Sequence, residues 1–155
     1  MIMEIGWLKL DPGAVENFDF TFKPADSGED CILLTPVHAV GAVTFGGNEF
    51  LLEGRLTAGV RLPCSRCLAP VDQVLSFDFK EEYEEQEFPG EDAMIDLADI
   101  ASQIWLTSIP MQTLCQEGCK GLCPRCGKNL NEGECGCLID EPDPRLEALR
   151  NFLNG

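Results

Sequence analysis

Eight of the nine cysteines in this 155-residue chain fall into four close pairs, Cys64-x2-Cys67, Cys115-x3-Cys119, Cys123-x2-Cys126 and Cys135-x-Cys137, with Cys31 left over. Cysteines this close together in sequence are held by disulfides or by a metal. The total is odd, and residues 1–10 show neither a basic start nor a small-residue cleavage site. Both observations favour a reducing, cytoplasmic setting, in which metal ligation is the expected use. No apolar run approaches the roughly 18 to 20 residues that a membrane span requires.

Zinc takes four thiolates in a tetrahedron at about 2.3 Å, and a C-x2-C turn delivers two of them. In Cys123-Pro124-Arg125-Cys126-Gly127 the proline fixes one φ and the glycine admits a positive one, so backbone N–H groups can turn toward the sulfurs. The simplest partition groups Cys123, Cys126, Cys135 and Cys137 as a local site. Cys64 and Cys67 then join Cys115 and Cys119. Two other arrangements stay open: one metal held by Cys64, Cys67, Cys119 and a neighbouring residue, or a second cluster without metal. One or two structural Zn²⁺ per chain are thus expected.

Energetics favour metal in the tail. Residues 115–137 offer only Leu122 and Leu130 as sizeable apolar side chains, too few to offset the cost of ordering the segment. Structural zinc contributes on the order of 10 to 16 kcal/mol in peptides, against about 5 to 15 kcal/mol for a whole domain. A thiol oxidoreductase built on Cys64-Ser65-Arg66-Cys67 would need a βαβ context that the pattern lacks. Catalytic zinc would need an open position. The single histidine, His38, sits among apolar residues and is expected to be structural or exposed, and Cys31 is expected to be a small buried hydrophobe. No nucleophile elbow, phosphate loop or dinucleotide fingerprint is present, and no catalytic residue is assigned.

The rest of the chain reads as α+β. Up to about residue 83 the pattern is mostly period two: Phe18, Phe20 and Phe22 alternate with polar residues, residues 37–45 and 49–62 are β-prone around the turn signal Gly46-Gly47-Asn48, and Leu75, Phe77 and Phe79 alternate again. Three to six antiparallel strands are expected, as a curved sheet or small open barrel, with the first cysteine pair at a strand-to-strand turn. Residues 77–99 read as an acidic connector with an exposed loop at Phe88-Pro89-Gly90. Asp96 resembles a helix N-cap, and Leu97, Ile100, Ala101, Ile104 and Trp105 fall on one helical face ending before Pro110. A second short helix is expected from Asp143-Pro144-Arg145, with Leu146, Leu149 and Leu153 on one face. The expected organisation is a β-rich domain over residues 1–112, with the acidic segment and the helix, and a cysteine-rich zinc-binding tail over residues 113–155.

The net charge of −16 is concentrated. Residues 77–100 carry ten acidic side chains and one lysine, whereas residues 101–130 come to +2. So acidic a surface repels nucleic-acid phosphate over a Debye length of about 8 Å, and favours a basic protein partner. The alternative is local RNA contact by Arg66, Lys120, Arg125 and Lys128, which lie among the cysteines. The oligomeric state is not written in the sequence.

Cys64-Ser65-Arg66-Cys67-Leu68, Cys119-Lys120-Gly121-Leu122-Cys123-Pro124-Arg125-Cys126-Gly127, Asn129-Leu130-Asn131, Cys135-Gly136-Cys137 and Asp143-Pro144-Arg145-Leu146 together resemble the YceD family over residues 60–150. These are bacterial and plastid proteins linked to accumulation of large-subunit ribosomal RNA. The resemblance implies a non-enzymatic factor in biogenesis of the large ribosomal subunit. Some relatives keep the first cysteine pair and lose the Cys123 to Cys137 cluster, which implies that the Cys64–Cys67 site is central and the tail site an added stabiliser. The family's genes commonly adjoin one for a small zinc-binding protein of the large subunit, which suggests a basic ribosomal protein as partner. Direct contact with ribosomal RNA is the alternative, and a thiol redox protein a third reading.

Overall fold

Period-two alternation of apolar and polar residues builds the main sheet, and a turn signal or a cysteine knuckle closes each of its long hairpins. The computed structural model describes residues 1–11, 13–28 and 30–137. Its strands are β1 (Ile2–Glu4), β2 (Val15–Phe22), β3 (Ile32–Leu33), β4 (Val37–Phe45), β5 (Glu49–Pro63), β6 (Pro70–Glu84) and β7 (Met94–Asp96), followed by helix α1 (Leu97–Ser108). The helix expected from residue 143 onward lies outside the described residues.

The main sheet has five antiparallel strands. β4 lies between β2 and β5, the short β3 continues β4's side of β5, and β6 pairs β5 along its whole length. Among the described residues no pairing joins β2 to β6, so the sheet is open. Gly47 supplies the positive φ (102°) in the β4–β5 turn, where the sequence placed a hairpin. Small β1 and β7 form a separate two-stranded ribbon, which alternation over three residues was too short to signal.

One face of the main sheet is the core. Phe18, Val37, Ala39, Val43, Leu52, Leu56, Ala58 and Val60 point into it, and Ile5, Leu8, Ile95 and Trp105 come from the covering segments. Trp105 is fully buried and meets Phe77 edge-on at 5.6 Å. The helix begins where expected, since the Asp96 carboxylate accepts from the N–H groups of Ala98 (3.0 Å) and Asp99 (3.4 Å). Its buried side chains are Leu97, Ala101 and Trp105.

The period-two pattern read up to about residue 83 runs to the end of β6 at Glu84, with Phe77, Phe79 and Tyr83 turning an apolar group inward, so the acidic stretch begins inside the strand. One expectation about residues 77–99 needs correction. Phe88 is not part of an exposed loop: its ring packs edge-on against Phe50 and Tyr83, each at 5.7 Å, and leaves only Pro89 and Gly90 exposed. Burial of an aromatic ring outweighs the polar character of its neighbours. Cys31 is buried, and His38 is exposed with Nε2 2.7 Å from Asp19 Oδ1.

Candidate metal centres

The β5–β6 hairpin ends in a knuckle. Pro63 faces Pro70 as the last pair of the ladder, and Cys64 to Ala69 form the turn, in which Cys64 N–H donates to Ala69 O (2.8 Å) and Leu68 N–H to Cys64 O (2.9 Å). Leu68 sits at φ 60°, a strained conformation for a residue with a Cβ. After α1 the chain returns to this knuckle. Ser65 N–H donates to Thr113 O (2.8 Å), and Thr113 N–H donates to Ser65 Oγ (3.1 Å). That reciprocal pair delivers the following cysteines to the hairpin tip.

Two sets of four sulfurs result. Cys64, Cys67, Cys115 and Cys119 converge in one, and Cys123, Cys126, Cys135 and Cys137 in the other, each with its Sγ atoms within 4.8 Å of one another. This is the partition expected from the spacing. In the first set Cys64 Sγ lies 3.8 Å from Cys119 Sγ, and Cys67 Sγ 3.6 Å from Cys115 Sγ. A tetrahedron with metal–sulfur bonds of about 2.3 Å has edges of about 3.8 Å, so the sulfur spacing fits a four-coordinate metal. It is far beyond the about 2.05 Å of a disulfide.

The donor chemistry fits as well. Backbone N–H groups, that of Arg66 foremost, hold the Cys64 thiol down to about 6. The N–H groups of Cys126 and Arg125 do the same for Cys123, also to about 6. Cys119 is lowered chiefly by the Asn131 side chain. In contrast, Cys115 is pushed up to about 12 by Cys67 and the other sulfurs of its set, and Cys137 to about 12 by Cys126 and Cys135. The first set thus has two sulfurs held down, Cys64 and Cys119, and two pushed up, Cys67 and Cys115, while the second has Cys123 held down and Cys137 pushed up. A bound cation would let all four of a set be thiolates together.

The surroundings of the first centre include residues that cysteine spacing alone does not flag. Asn131 Nδ2 donates to Cys119 Sγ (3.4 Å), while its Oδ1 accepts from Lys120 N–H (2.8 Å). The Asn129-x-Asn131 pattern was the available signal, since Asn favours such local side-chain to backbone bonds. Arg66 donates through its guanidinium to Cys119 O (2.9 Å), and its own carbonyl accepts from Leu122 N–H (3.1 Å). Gly121, at φ 76°, lets these two knuckles meet, because a Cβ there would stand 3.0 Å from Arg66 O. In the second centre Cys123 N–H donates to Lys128 O (2.8 Å) and Gly127 N–H to Cys123 O (2.9 Å). Lys128 Nζ donates to Glu134 O (2.9 Å), which closes the loop between the two cysteine pairs.

A family profile described as "Large ribosomal RNA subunit accumulation protein YceD" matches residues 52–153. The chain is 34% identical over 65 residues to the chloroplastic "Large ribosomal RNA subunit accumulation protein YCED homolog 1" of Arabidopsis thaliana, covering 42% of this chain and 20% of that protein. It is 28% identical over 130 residues to the uncharacterized protein YlbN of Bacillus subtilis (strain 168), covering 77% of this chain and 76% of that one. The chain therefore spans about a fifth of the first relative and about three quarters of the second. No solved structure matches.

Proposed function

The chain belongs to the YceD family, and we propose that it is a non-enzymatic, cytoplasmic factor in biogenesis of the large ribosomal subunit, folded around two structural zinc ions. The observation that carries the structural half is the convergence of eight cysteines into two tetrahedral-sized sets. The functional half rests on the family's description as an rRNA accumulation protein. Cys64, Cys67, Cys115 and Cys119 would hold one ion, and Cys123, Cys126, Cys135 and Cys137 the other. When bound, zinc supplies the positive charge that stabilises four adjacent thiolates. With every position taken by protein sulfur, neither centre keeps a place for substrate.

The proposed partner is a basic protein of the large subunit, docked on the open end of the β5–β6 hairpin, opposite the knuckle. Glu81, Glu82, Glu84, Glu85 and Glu87 gather there with Glu49. Glu49 stands directly across the ladder from Glu84, a like-charge pair that works against the fold and that a cationic partner would relieve. Direct RNA reading is the weaker alternative, because Arg66 and Lys128 use their cationic groups to hold backbone carbonyls at the two centres. The test is co-purification of large-subunit proteins from cells at low and high salt, with Glu81, Glu82, Glu84 and Glu85 changed to Gln. Loss of a basic ribosomal protein in the variant supports the docking surface. Unchanged capture removes it.

A further inference from the structure

The two centres are not independent, and the geometry points to Asn131 as the residue that joins them: we propose that loss of metal from the second centre weakens metal binding at the first by releasing Asn131 from Cys119. This inference rests on the zinc reading of both cysteine sets.

Asn131 belongs in sequence to the second centre, being strung between Cys126 and Cys135, yet its side chain serves the first. Nδ2 donates to Cys119 Sγ at 3.4 Å, and Oδ1 accepts from Lys120 N–H at 2.8 Å and from Gln116 Nε2 at 3.3 Å. One amide thus orients a ligand sulfur, the backbone just after it at Lys120 and the Gln116 side chain before it. Outside that bridge, the loop over residues 127–134 is held mainly by its own turns and by the second centre. Asn129 Oδ1 accepts from Asn131 N–H (3.1 Å) and from Asn131 Nδ2 (2.8 Å), and Asn129 Nδ2 donates to Glu132 Oε1 (3.1 Å). One link reaches back toward the first centre: Leu130 N–H donates to Gly121 O (2.9 Å), beside the Leu122–Asn129 bridge.

Apolar packing cannot hold this loop in place, since Leu122 is the one hydrophobic side chain of residues 120–137 packed with the buried cluster of Cys64, Cys67 and Cys119. The Cys126 and Cys135 sulfurs fix the two ends of the loop only while the second centre holds its ion. With those ends free, Asn131 loses its fixed distance from Cys119. A hydrogen bond from the shell around a metal ligand is worth about 10- to 100-fold in metal affinity, which sets the size of the expected coupling.

The test is a double-mutant cycle on the zinc-loaded full chain. Four proteins are compared: the unaltered chain, Asn131→Ala, the pair Cys135→Ser with Cys137→Ser, and all three changes together. Zinc is withdrawn with a graded chelator, and cysteine alkylation with peptide mapping reads the two sulfur sets separately. The expected result is that Asn131→Ala and the cysteine pair each weaken zinc retention at Cys64, Cys67, Cys115 and Cys119 by about 10- to 100-fold, and that the triple variant is no worse than the weaker of the two. If either change leaves the first set within about twofold of the unaltered chain, or if the two effects multiply, the coupling is refuted. Asn131→Ala leaves all eight cysteines in place, so a first set that this variant does not weaken refutes the coupling even if the serine variants unfold the tail. A native protein with no zinc in either set overturns the metal reading itself, whereas two zincs released independently overturn only the coupling.

Discussion

Across the middle of the sheet, Phe18, Gly41, Gly54 and Phe79 stand side by side on four adjacent strands. The two glycines leave room for the flanking rings and for an unusually close approach of β4 to β5. A Cβ on Gly41 would lie 2.2 Å from Glu53 O, 2.6 Å from Phe18 Cζ and 2.7 Å from Gly54 Cα. Two of these three atoms are backbone, so the substitution Gly41→Ala cannot be absorbed by a side-chain rotation. Clearing the carbonyl oxygen requires β4 and β5 to part locally by about 1 Å, with the strain of overpacking at about 1 to 3 kcal/mol and a weakened ladder bond at about 1 kcal/mol. Alanine recovers about 0.4 to 1 kcal/mol by restricting the unfolded chain. The net expectation is about 1 to 3 kcal/mol of destabilisation, or about 2 to 12 °C in Tm for a chain of this size. Gly54→Ala meets Val40 O at 2.4 Å and Phe79 Cζ at 3.1 Å and is expected to cost a similar amount, and the double variant less than the sum because both relieve the same approach. The assay is thermal unfolding of the metal-loaded protein followed by circular dichroism. A Gly41→Ala midpoint unchanged or raised would refute the close crossing of β4 and β5 and the register that sets Gly41 against Gly54.

Two further outcomes bear on the site. Arg66→Ala removes a charged donor from Cys119 O, worth about 1.5 to 3 kcal/mol, and is expected to loosen metal at the first cysteine set while leaving RNA retention unchanged. Chelator competition and RNA crosslinking on the same preparation separate the two, and RNA loss with intact metal would favour the RNA reading instead. Metal retention is also expected to fall in acid. Cys64 and Cys123 are held down to about 6, below an unfolded thiol at about 8.5, so their contribution is complete above about 8.5 and is lost as pH falls through about 6. Cys115 and Cys137, pushed up to about 12, contribute in the opposite sense in metal-free protein, where stability is present below about 8.5 and lost as pH rises toward about 12. Metal-free protein should therefore gain stability from about pH 6 to about 8.5 and lose it above about 8.5, whereas the loaded form should keep its gain above that pH; parallel profiles above about 8.5 would contradict this.

What the sequence made legible follows from which signals are local. Period-two alternation marked β2, β4, β5 and β6 as far as about residue 83, and the Asp96 cap with its apolar stripe marked α1, because neighbouring residues carry each pattern. Cysteine spacing was enough to sort eight sulfurs into two sets, since Cys123 to Cys137 form a short local loop and leave the other four to each other. Long-range contacts were not legible. The β1–β7 ribbon joins residues ninety or more positions apart through three pairs, and nothing in two three-residue segments announces it. The acidic run concealed the inward packing of Phe88, which meets Tyr83 from beyond the end of β6. Asn131 was visible as part of a motif, but its bond to Cys119 depends on two knuckles meeting in space.

The central claim is that cysteine-bound zinc joins residues 113–137 to the sheet. Amide hydrogen exchange before and after complete chelation, on a preparation whose zinc content is first counted by elemental analysis, tests it most directly. The account predicts about two zincs per chain, one for each sulfur set. On their removal, protection at Leu122, Cys123 and Leu130 should vanish while the amides of β4 and β5 stay protected. A native preparation without metal, or a chelated one that keeps protection at those three amides, would contradict it.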